Sequence, residues 1–163
     1  MAEPAAEQGG TTSRVITTED RGVVQITLRY PGKLNASTAE MWVNFRGEFQ
    51  SLTERRDIRC VIVTGAGTDA FAAADISEFE ALRNTRDQVE QYHDEMVPGD
   101  LDAVATCDIP VVAAIRGASI GCGLEIASVC DIMLFNTSAR LGASVGRHVK
   151  GLAPCSSLPR SEH

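Results

Sequence analysis

One stretch, from Asp108 to Asp131, constrains the fold more than any other part of this 163-residue chain. It opens with a short apolar run that is rich in β-branched residues and is entered through Pro110, and this run predicts a buried strand at Val111–Ile115. Glycines then break the pattern at positions 117, 121 and 123. Leu124–Val129 follows with good helix formers and apolar residues on most sides. The stretch therefore predicts a strand, a glycine turn and a buried helix.

The N-terminus of this predicted helix is a candidate site for a negatively charged group. The first backbone N–H groups of a helix have no internal acceptor, and the helix dipole favours negative charge there. Glu125 lies in the first turn, and its neighbours Leu124 and Ile126 predict partial burial of its side chain. A buried acid beside such donors is a candidate general acid or base. The alternative, that Glu125 only compensates the helix dipole, stays open.

Composition and charge narrow the class of protein. A hydrophobic fraction of 44% with 23% charged residues is typical of one globular domain. The net charge of −7 argues against binding to nucleic acid or to an anionic membrane, because either partner requires a basic face. No apolar run has transmembrane length and the N-terminus lacks a signal-peptide pattern, so we expect a cytoplasmic protein.

The five cysteines predict neither a disulfide framework nor a zinc site. No two of them form a C-x-x-C pair, and the three histidines lack ligand spacing. We therefore interpret the cysteines as mostly reduced, buried, small apolar residues, and we predict no metal.

The N-terminal part of the chain predicts a hairpin followed by a helix. Val23–Leu28 alternates apolar and polar residues, and the turn residues Asp20–Gly22 before it indicate a hairpin with Val15 and Ile16. Ser37 and Glu40 have the spacing of a capping box, which predicts a helix start. The apolar residues that follow at helical spacing predict a core face rather than a ligand-stacking stripe: Met41, Trp42, Phe45, Phe49 and Leu52.

Strands and helices alternate in the remainder, which predicts an α/β protein. A second buried strand is expected at Arg59–Thr64 and another strand at Asp131–Phe135. Helices are expected at Ile76–Leu82 and at Thr85–Val104, the latter bent or broken at Pro98 and Gly99. The glycines at positions 65 and 67 suggest a dinucleotide-binding turn, but the third glycine and the immediate helix are missing, so this signal is weak.

Four motifs together resemble the enoyl-CoA hydratase/isomerase (crotonase) superfamily. They are Lys33-Leu-Asn-Ala36, Val61-Ile-Val-Thr-Gly-Ala-Gly67, Phe71-Ala-Ala-Ala-Asp75 and the stretch Ile109–Asp131. The resemblance covers roughly Val15 to Gly146 and implies that family's spiral of ββα units, truncated before the C-terminal helical region. It also implies acyl-CoA thioester substrates, coenzyme A as part of the substrate rather than a separate cofactor, and a homotrimer or hexamer. We accordingly divide the chain into a flexible tail at 1–13, an acyl-CoA-binding core at 14–146 and an irregular tail at 147–163.

The same resemblance implies a set of site residues. The thioester oxygen would lie between the backbone N–H groups of Ala74 and Cys122, and Glu125 matches one of the family's two catalytic glutamates. Contacts to CoA would fall on Lys33, Leu34, Ala36, Asp75 and Ile76. A solvated loop lysine without a ligand is the alternative for Lys33.

Four departures from the family pattern bear on activity. The segment that ends at Asp75 is one residue short and lacks its glycine, and Cys122 replaces the central glycine of the turn. Val145 stands where hydratases carry their second glutamate, and the chain ends at His163, before the family's C-terminal helical third. We interpret the residues after Gly146 as an out-of-frame or prematurely ended remnant.

The expected function is that of an acyl-CoA lyase or isomerase whose activity is weakened or lost. With one carboxylate, proton transfer and isomerisation are favoured over hydration. Two alternatives stay open: a CoA-thioester binder without catalysis, and an inactive remnant of a longer enzyme.

Overall fold

A β-hairpin opens the part of the chain that the computed structural model describes, which comprises residues 12–68, 70–74 and 97–142. β1 (Arg14–Asp20) pairs antiparallel with β2 (Val23–Arg29). Arg21 and Gly22 connect them with φ angles of 50° and 75°, the left-handed conformation that both central residues of a tight hairpin turn require. The predicted hairpin is confirmed.

β2 is also the first member of a parallel array. β4 (Cys60–Gly65), β6 (Val111–Ile115) and β8 (Ile132–Phe135) join it in the order β1-β2-β4-β6-β8. All three strands lie where the sequence predicts them, within one residue at each end. Alternate residues of β2, β4 and β6 point into the core, among them Ile26, Val63 and Ala113, which are fully buried.

A second sheet, which the sequence analysis does not anticipate, contains only parallel strands. Its order is β3 (Ala36–Ser37), β5 (Ala70–Ala74), β7 (Ala118–Ile120) and β9 (Arg140–Gly142). Strands of two to five residues are too short for an alternating pattern to be visible in the sequence.

The two sheets are connected in a repeating way. β4 leads through a short corner to β5, β6 to β7, and β8 to β9, so successive turns of the chain add one strand to each sheet. The fold is therefore the expected α/β spiral of ββα units.

Helix α1 (Ala39–Leu52) covers the core with the face that the sequence predicts. All five residues of that face are buried: Met41, Trp42, Phe45, Phe49 and Leu52. The predicted capping box is wrong by one position, because the N-cap is Thr38, whose hydroxyl accepts a hydrogen bond from the Met41 N–H at 3.2 Å. Ser37 cannot take this role since it belongs to β3.

Two further helices complete the described core. α2 spans Val97–Ala105, so Pro98 and Gly99 lie in its first turn, where the missing N–H of proline costs no helical hydrogen bond. The remainder of the predicted helix Thr85–Val104, and all of Ile76–Leu82, lie outside the described residues. α3 (Cys122–Val129) begins two residues earlier than predicted. None of the helices described here is long and apolar enough to span a membrane.

β8 forms an edge of the first sheet and carries apolar side chains on both faces. Ile132, Met133, Leu134 and Phe135 are each between 43% and 57% exposed. Among the strands that the structure describes, β8 is paired only with β6. An unpaired apolar edge of this kind favours association with other chains.

Candidate active site

The N-terminus of α3 is shaped by a glycine that no other residue could replace without strain. Gly121, the N-cap, has φ 58° and ψ −119°, a backbone conformation essentially restricted to glycine. Its carbonyl oxygen accepts the N–H groups of Leu124 and Glu125 at 2.9 and 3.1 Å. Its own N–H donates to the carbonyl of Gly142 at 3.0 Å, which anchors the turn on β9.

This geometry leaves two amides at the head of the helix. Cys122 and Gly123 are the first two residues of α3, and among the described residues neither N–H donates to a backbone carbonyl. Both amides lie close enough to the Cys122 sulfur to lower its pKa. One of the two donors that the resemblance implies, the Cys122 N–H, therefore lies at the N-terminus of this helix with a thiol beside it.

Strand β5 packs directly against the first turn of α3. A methyl group built on Gly123 would lie 2.2 Å from the carbonyl oxygen of Ala72. On the other side, a methyl group on Gly65 would lie 2.2 Å from the carbonyl oxygen of Ala70. Both glycines are therefore required for β5 to approach β4 and α3, and this contact brings the strand that ends at Ala74 to the helix N-terminus.

Ser37 links the end of β5 to Cys122. In the parallel register of β3 and β5, Ser37 is the partner of Ala74. The buried Ser37 side chain also lies close enough to the Cys122 sulfur to lower the pKa of that thiol. Ala74 and Cys122, which are 48 positions apart in the sequence, are thus both neighbours of one serine.

Burial raises the pKa of the Cys122 thiol to about 12. The negative charge of Glu125 acts in the same direction, while the Ser37 hydrogen bond and the two backbone amides oppose it. A thiol with such a pKa is protonated at neutral pH, which favours the interpretation of Cys122 as an inert residue.

Glu125 lies in the first turn of α3, and its side chain is exposed. Consecutive helical residues face different directions, so Glu125 as a whole residue is exposed although Ile126 is buried and Leu124 is half-buried. The predicted partial burial holds for its carboxyl group. The protein around the carboxyl group still desolvates it enough to raise its pKa. This direction favours a group that exchanges protons closer to neutral pH.

The Lys33–Ala36 segment forms a tight loop after β2. Leu34 and Asn35 have positive φ angles of 51° and 53°, and the Ala36 N–H donates to the Lys33 carbonyl at 2.9 Å. Lys33 and Leu34 are exposed, whereas Ala36 is buried and paired with Ala73 in the second sheet.

The remaining predicted site residues, Asp75 and Ile76, lie outside the described part of the chain, as does Val145. The described residues contain no group of three or more metal-ligating side chains. The Gly65–Gly67 turn leads into β5 rather than into a helix, so the weak dinucleotide-binding signal has no structural counterpart.

Two residues near these positions were not predicted as site residues. The spacing of Ser37 and Glu40 predicts a helix cap at Ser37, and Asn35 lies inside the Lys33–Ala36 motif without an assigned role. The residue type itself is the signal that indicates a structural role for Asn35, since asparagine tolerates a left-handed backbone and can form hydrogen bonds with nearby peptide groups.

Comparison with known proteins is consistent with this geometry. A model of the enoyl-CoA hydratase/isomerase family matches residues 18–154. The probable enoyl-CoA hydratase EchA14 of Mycobacterium tuberculosis is 33% identical over 140 residues, which cover 84% of this chain and 54% of that protein. The enoyl-CoA hydratase/isomerase homologue YngF of Bacillus subtilis is 38% identical over 133 residues, covering 80% of this chain and 49% of that one.

A solved structure gives the same result. The crystal structure of an enoyl-CoA hydratase/carnithine racemase from Magnetospirillum magneticum superposes with a TM-score of 0.76 at 38% identity, covering 79% of this chain and 48% of the other. The chain thus spans about half the length of the relatives it matches. On the family match and the shared fold, this chain belongs to the enoyl-CoA hydratase/isomerase family.

Proposed function

We propose that the chain acts on acyl-CoA thioesters as an acid–base enzyme of the isomerase or lyase type, with Glu125 as the proton-transferring residue. The observation that carries this proposal is the direct packing of β5 on the first turn of α3 at Ala72 and Gly123. This contact brings together a strand end, two helix-head amides and a first-turn carboxylate.

The proposed reaction begins at the carbon next to the thioester carbonyl. The carboxylate of Glu125 accepts a proton from this carbon, and the electron pair moves onto the thioester oxygen to give an enolate. The N–H groups of Ala74 and Cys122 would stabilise the enolate oxygen, and a donor of this kind contributes about 3–4 kcal/mol in comparable sites. Glu125 then returns the proton to a different carbon, which shifts the double bond without a net change in atoms.

Hydration is the less favoured reaction in this proposal. It requires a water molecule that is both positioned and deprotonated while Glu125 handles a second proton. Val145 stands where hydratases carry their other glutamate, and a valine side chain has no hydrogen-bonding group. Isomerisation needs only one carboxylate that cycles between its two protonation states.

A second candidate function is binding of CoA thioesters without turnover. It is favoured by one observation: the Cys122 sulfur occupies the neighbourhood of the amides that should bind the thioester oxygen. A protein in which the sulfur blocks these donors would still bind CoA through the Lys33–Ala36 loop. Assembly as a homotrimer or hexamer and a cytoplasmic location stay predictions from the sequence.

The experiment compares two first-turn glutamates. Isomerisation of a 3-enoyl-CoA and hydration of a 2-enoyl-CoA are measured for the wild type, Glu125→Gln and the control Glu40→Gln, whose acid lies in the first turn of α1. We expect isomerisation to exceed hydration in the wild type and to fall by about 10²–10⁴ only in Glu125→Gln. Equal rates in the wild type and Glu125→Gln would contradict the proposal, and binding without turnover in the wild type would favour the second function.

A further inference from the structure

We propose that Asn35 is a positioning residue that fixes strand β5, and with it the Ala74 N–H, relative to the loop at Lys33–Ala36. The inference deepens the proposed function, because it concerns how one oxyanion donor is held in place. It rests on the hydrogen bonds and backbone conformation of Asn35 and on the register of β3 with β5.

The Asn35 side chain connects three segments of the chain. Its Oδ1 accepts a hydrogen bond from the Tyr30 N–H at 3.0 Å, immediately after β2. Its Nδ2 donates to the carbonyl of Ala66 at 2.8 Å and to the carbonyl of Ala70 at 2.9 Å. Ala66 follows β4 and Ala70 is the first residue of β5, so one amide group spans the corner between the two sheets.

Burial makes these hydrogen bonds costly to lose. Asn35 is only 5% exposed and Ala70 only 2% exposed, so water has little access to replace a lost partner. The side chain uses both N–H donors and one lone pair of its oxygen. Asparagine is the side chain of this length that offers two donors and an acceptor together.

The backbone at Asn35 imposes a second requirement. Its φ angle is 53°, directly after Leu34 at 51°. Asparagine adopts this left-handed conformation more readily than most residues, because its short side chain can bond to local peptide groups. Asparagine therefore fits this position both through its left-handed backbone conformation and through its side-chain hydrogen bonds.

The route from Asn35 to the proposed oxyanion donor is short. β3 follows Asn35 directly, and its residues Ala36 and Ser37 pair with Ala73 and Ala74. The start of β5 is thus held by the Asn35 amide group, and its end is held by β3, the strand that directly follows Asn35. A displacement of about 1 Å in a positioned group can reduce the rate about a hundredfold, so loss of this clamp is expected to act on catalysis.

Two variants separate the side-chain hydrogen bonds of Asn35 from the requirement for a left-handed backbone. Asn35→Gly retains the left-handed conformation and removes all three side-chain bonds. Asn35→Asp retains the shape but places a carboxylate oxygen opposite two carbonyl oxygens, and protonation of that carboxylate would restore one donor. The control is Asn136→Gly, because Asn136 is exposed in the loop after β8, where its side chain accepts a hydrogen bond from the Ser138 N–H.

Turnover is measured on folded protein, with the folded fraction determined by circular dichroism. We expect Asn35→Gly to lower kcat about tenfold or more with KM changed less than about threefold, since the lost interaction positions a donor for the transition state. The kcat of Asn35→Asp, as a ratio to the wild type at each pH, should rise as the pH falls. A folded Asn35→Gly with the kcat of the wild type, or a ratio for Asn35→Asp that does not change with pH, would overturn the inference.

A second readout is independent of activity. With ¹⁵N-alanine labelling, the amide resonances of Ala73 and Ala74 should shift in Asn35→Gly and Asn35→Asp and stay in place in Asn136→Gly. Unchanged Ala74 resonances in the Asn35 variants would overturn the inference. If the Asn35 variants show these shifts but the wild type has no turnover, the proposed function alone is contradicted, so the two failures are distinguishable.

Discussion

The carbonyl oxygen of Ala72 faces Gly123 so closely that a methyl group on that glycine would lie 2.2 Å from it. At this point the backbone of strand β5 is in direct contact with the backbone of helix α3. Real β-carbons do not approach carbonyl oxygens to that distance, so any side chain at position 123 must separate the two elements. The contact therefore holds β5, which ends at Ala74, against the helix that begins at Cys122.

Gly123→Ala is expected to destabilise the protein, whereas Gly47→Ala is expected to stabilise it. The first substitution forces backbone atoms apart, and overpacking of this kind costs about 1–3 kcal/mol. The second fills open space at an exposed position in the middle of α1 and should add about 0.5–1 kcal/mol through helix propensity. Urea denaturation measures both changes, and shifts of the same sign would contradict this account.

Asp100 is expected to make stability fall as the pH rises from 3.8 towards the raised pKa of its folded state. The residue is fully buried on α2, where it accepts a hydrogen bond from Arg46 through one carboxylate oxygen, while the other oxygen has no hydrogen-bond partner among the residues that the structure describes. Burial raises its pKa above the ordinary 3.8, and Arg46 only partly opposes this. Between 3.8 and the raised folded pKa, the folded state holds a proton that the unfolded state has lost, so stability decreases as pH rises through this window.

The test compares the wild type with Asp100→Asn, which cannot titrate at this position. Tm is recorded against pH for both proteins, and the wild-type Tm minus the variant Tm should decrease as the pH rises from 3.8. A difference that increases with pH would mean that attraction to Arg46 outweighs desolvation.

Cys122 is expected to resist alkylation near neutral pH. With its pKa at about 12, only about 10⁻⁴ of the thiol is ionised at pH 8, whereas an ordinary cysteine is ionised to roughly a quarter. Cys107, which is half-buried and free, serves as the internal reference. Iodoacetamide labelling is followed by peptide mass spectrometry, and Cys107 should be alkylated before Cys122. Faster alkylation of Cys122 would indicate a reactive thiolate and contradict this prediction.

The exposed apolar edge at β8 is expected to promote self-association. Leu134, which is 57% exposed, lies on this edge, whereas Val43, which is 60% exposed, lies on helix α1. Leu134→Lys should reduce association because a charged residue opposes strand pairing, and Val43→Lys should have a much smaller effect. Sedimentation at several concentrations measures both, and equal effects would exclude edge pairing as the cause.

The parts of the fold that were predictable are those with a long periodic pattern. The five buried residues of α1 repeat a helical spacing, and the strands of the first sheet show either alternation or a continuous apolar run; the structure confirms both. The second sheet was not predictable because its members are too short to show a period. Its position depends on backbone contacts at Gly65 and Gly123, which leave no hydrophobic signature in the sequence.

The site shows the same division between local pattern and tertiary contact. The helix that carries Cys122 and Glu125 follows from glycines and helix formers within one stretch. Ser37 illustrates the limit: its spacing to Glu40 fits a capping box, but pairing with Ala74 across the second sheet places it in a strand. The role of Asn35 depends on two carbonyls that lie 31 and 35 positions away, and no local pattern predicts such contacts.

The central claim, that Glu125 removes a proton from the carbon next to a thioester carbonyl, can be measured without knowledge of the natural acyl chain. A saturated acyl-CoA is incubated with the protein in D₂O, and deuterium incorporation at that carbon is followed by mass spectrometry. Our account predicts incorporation with the wild type and with Glu40→Gln, and a rate lower by about 10²–10⁴ with Glu125→Gln. No incorporation with the folded, ligand-bound wild type, or an equal rate with Glu125→Gln, would contradict it.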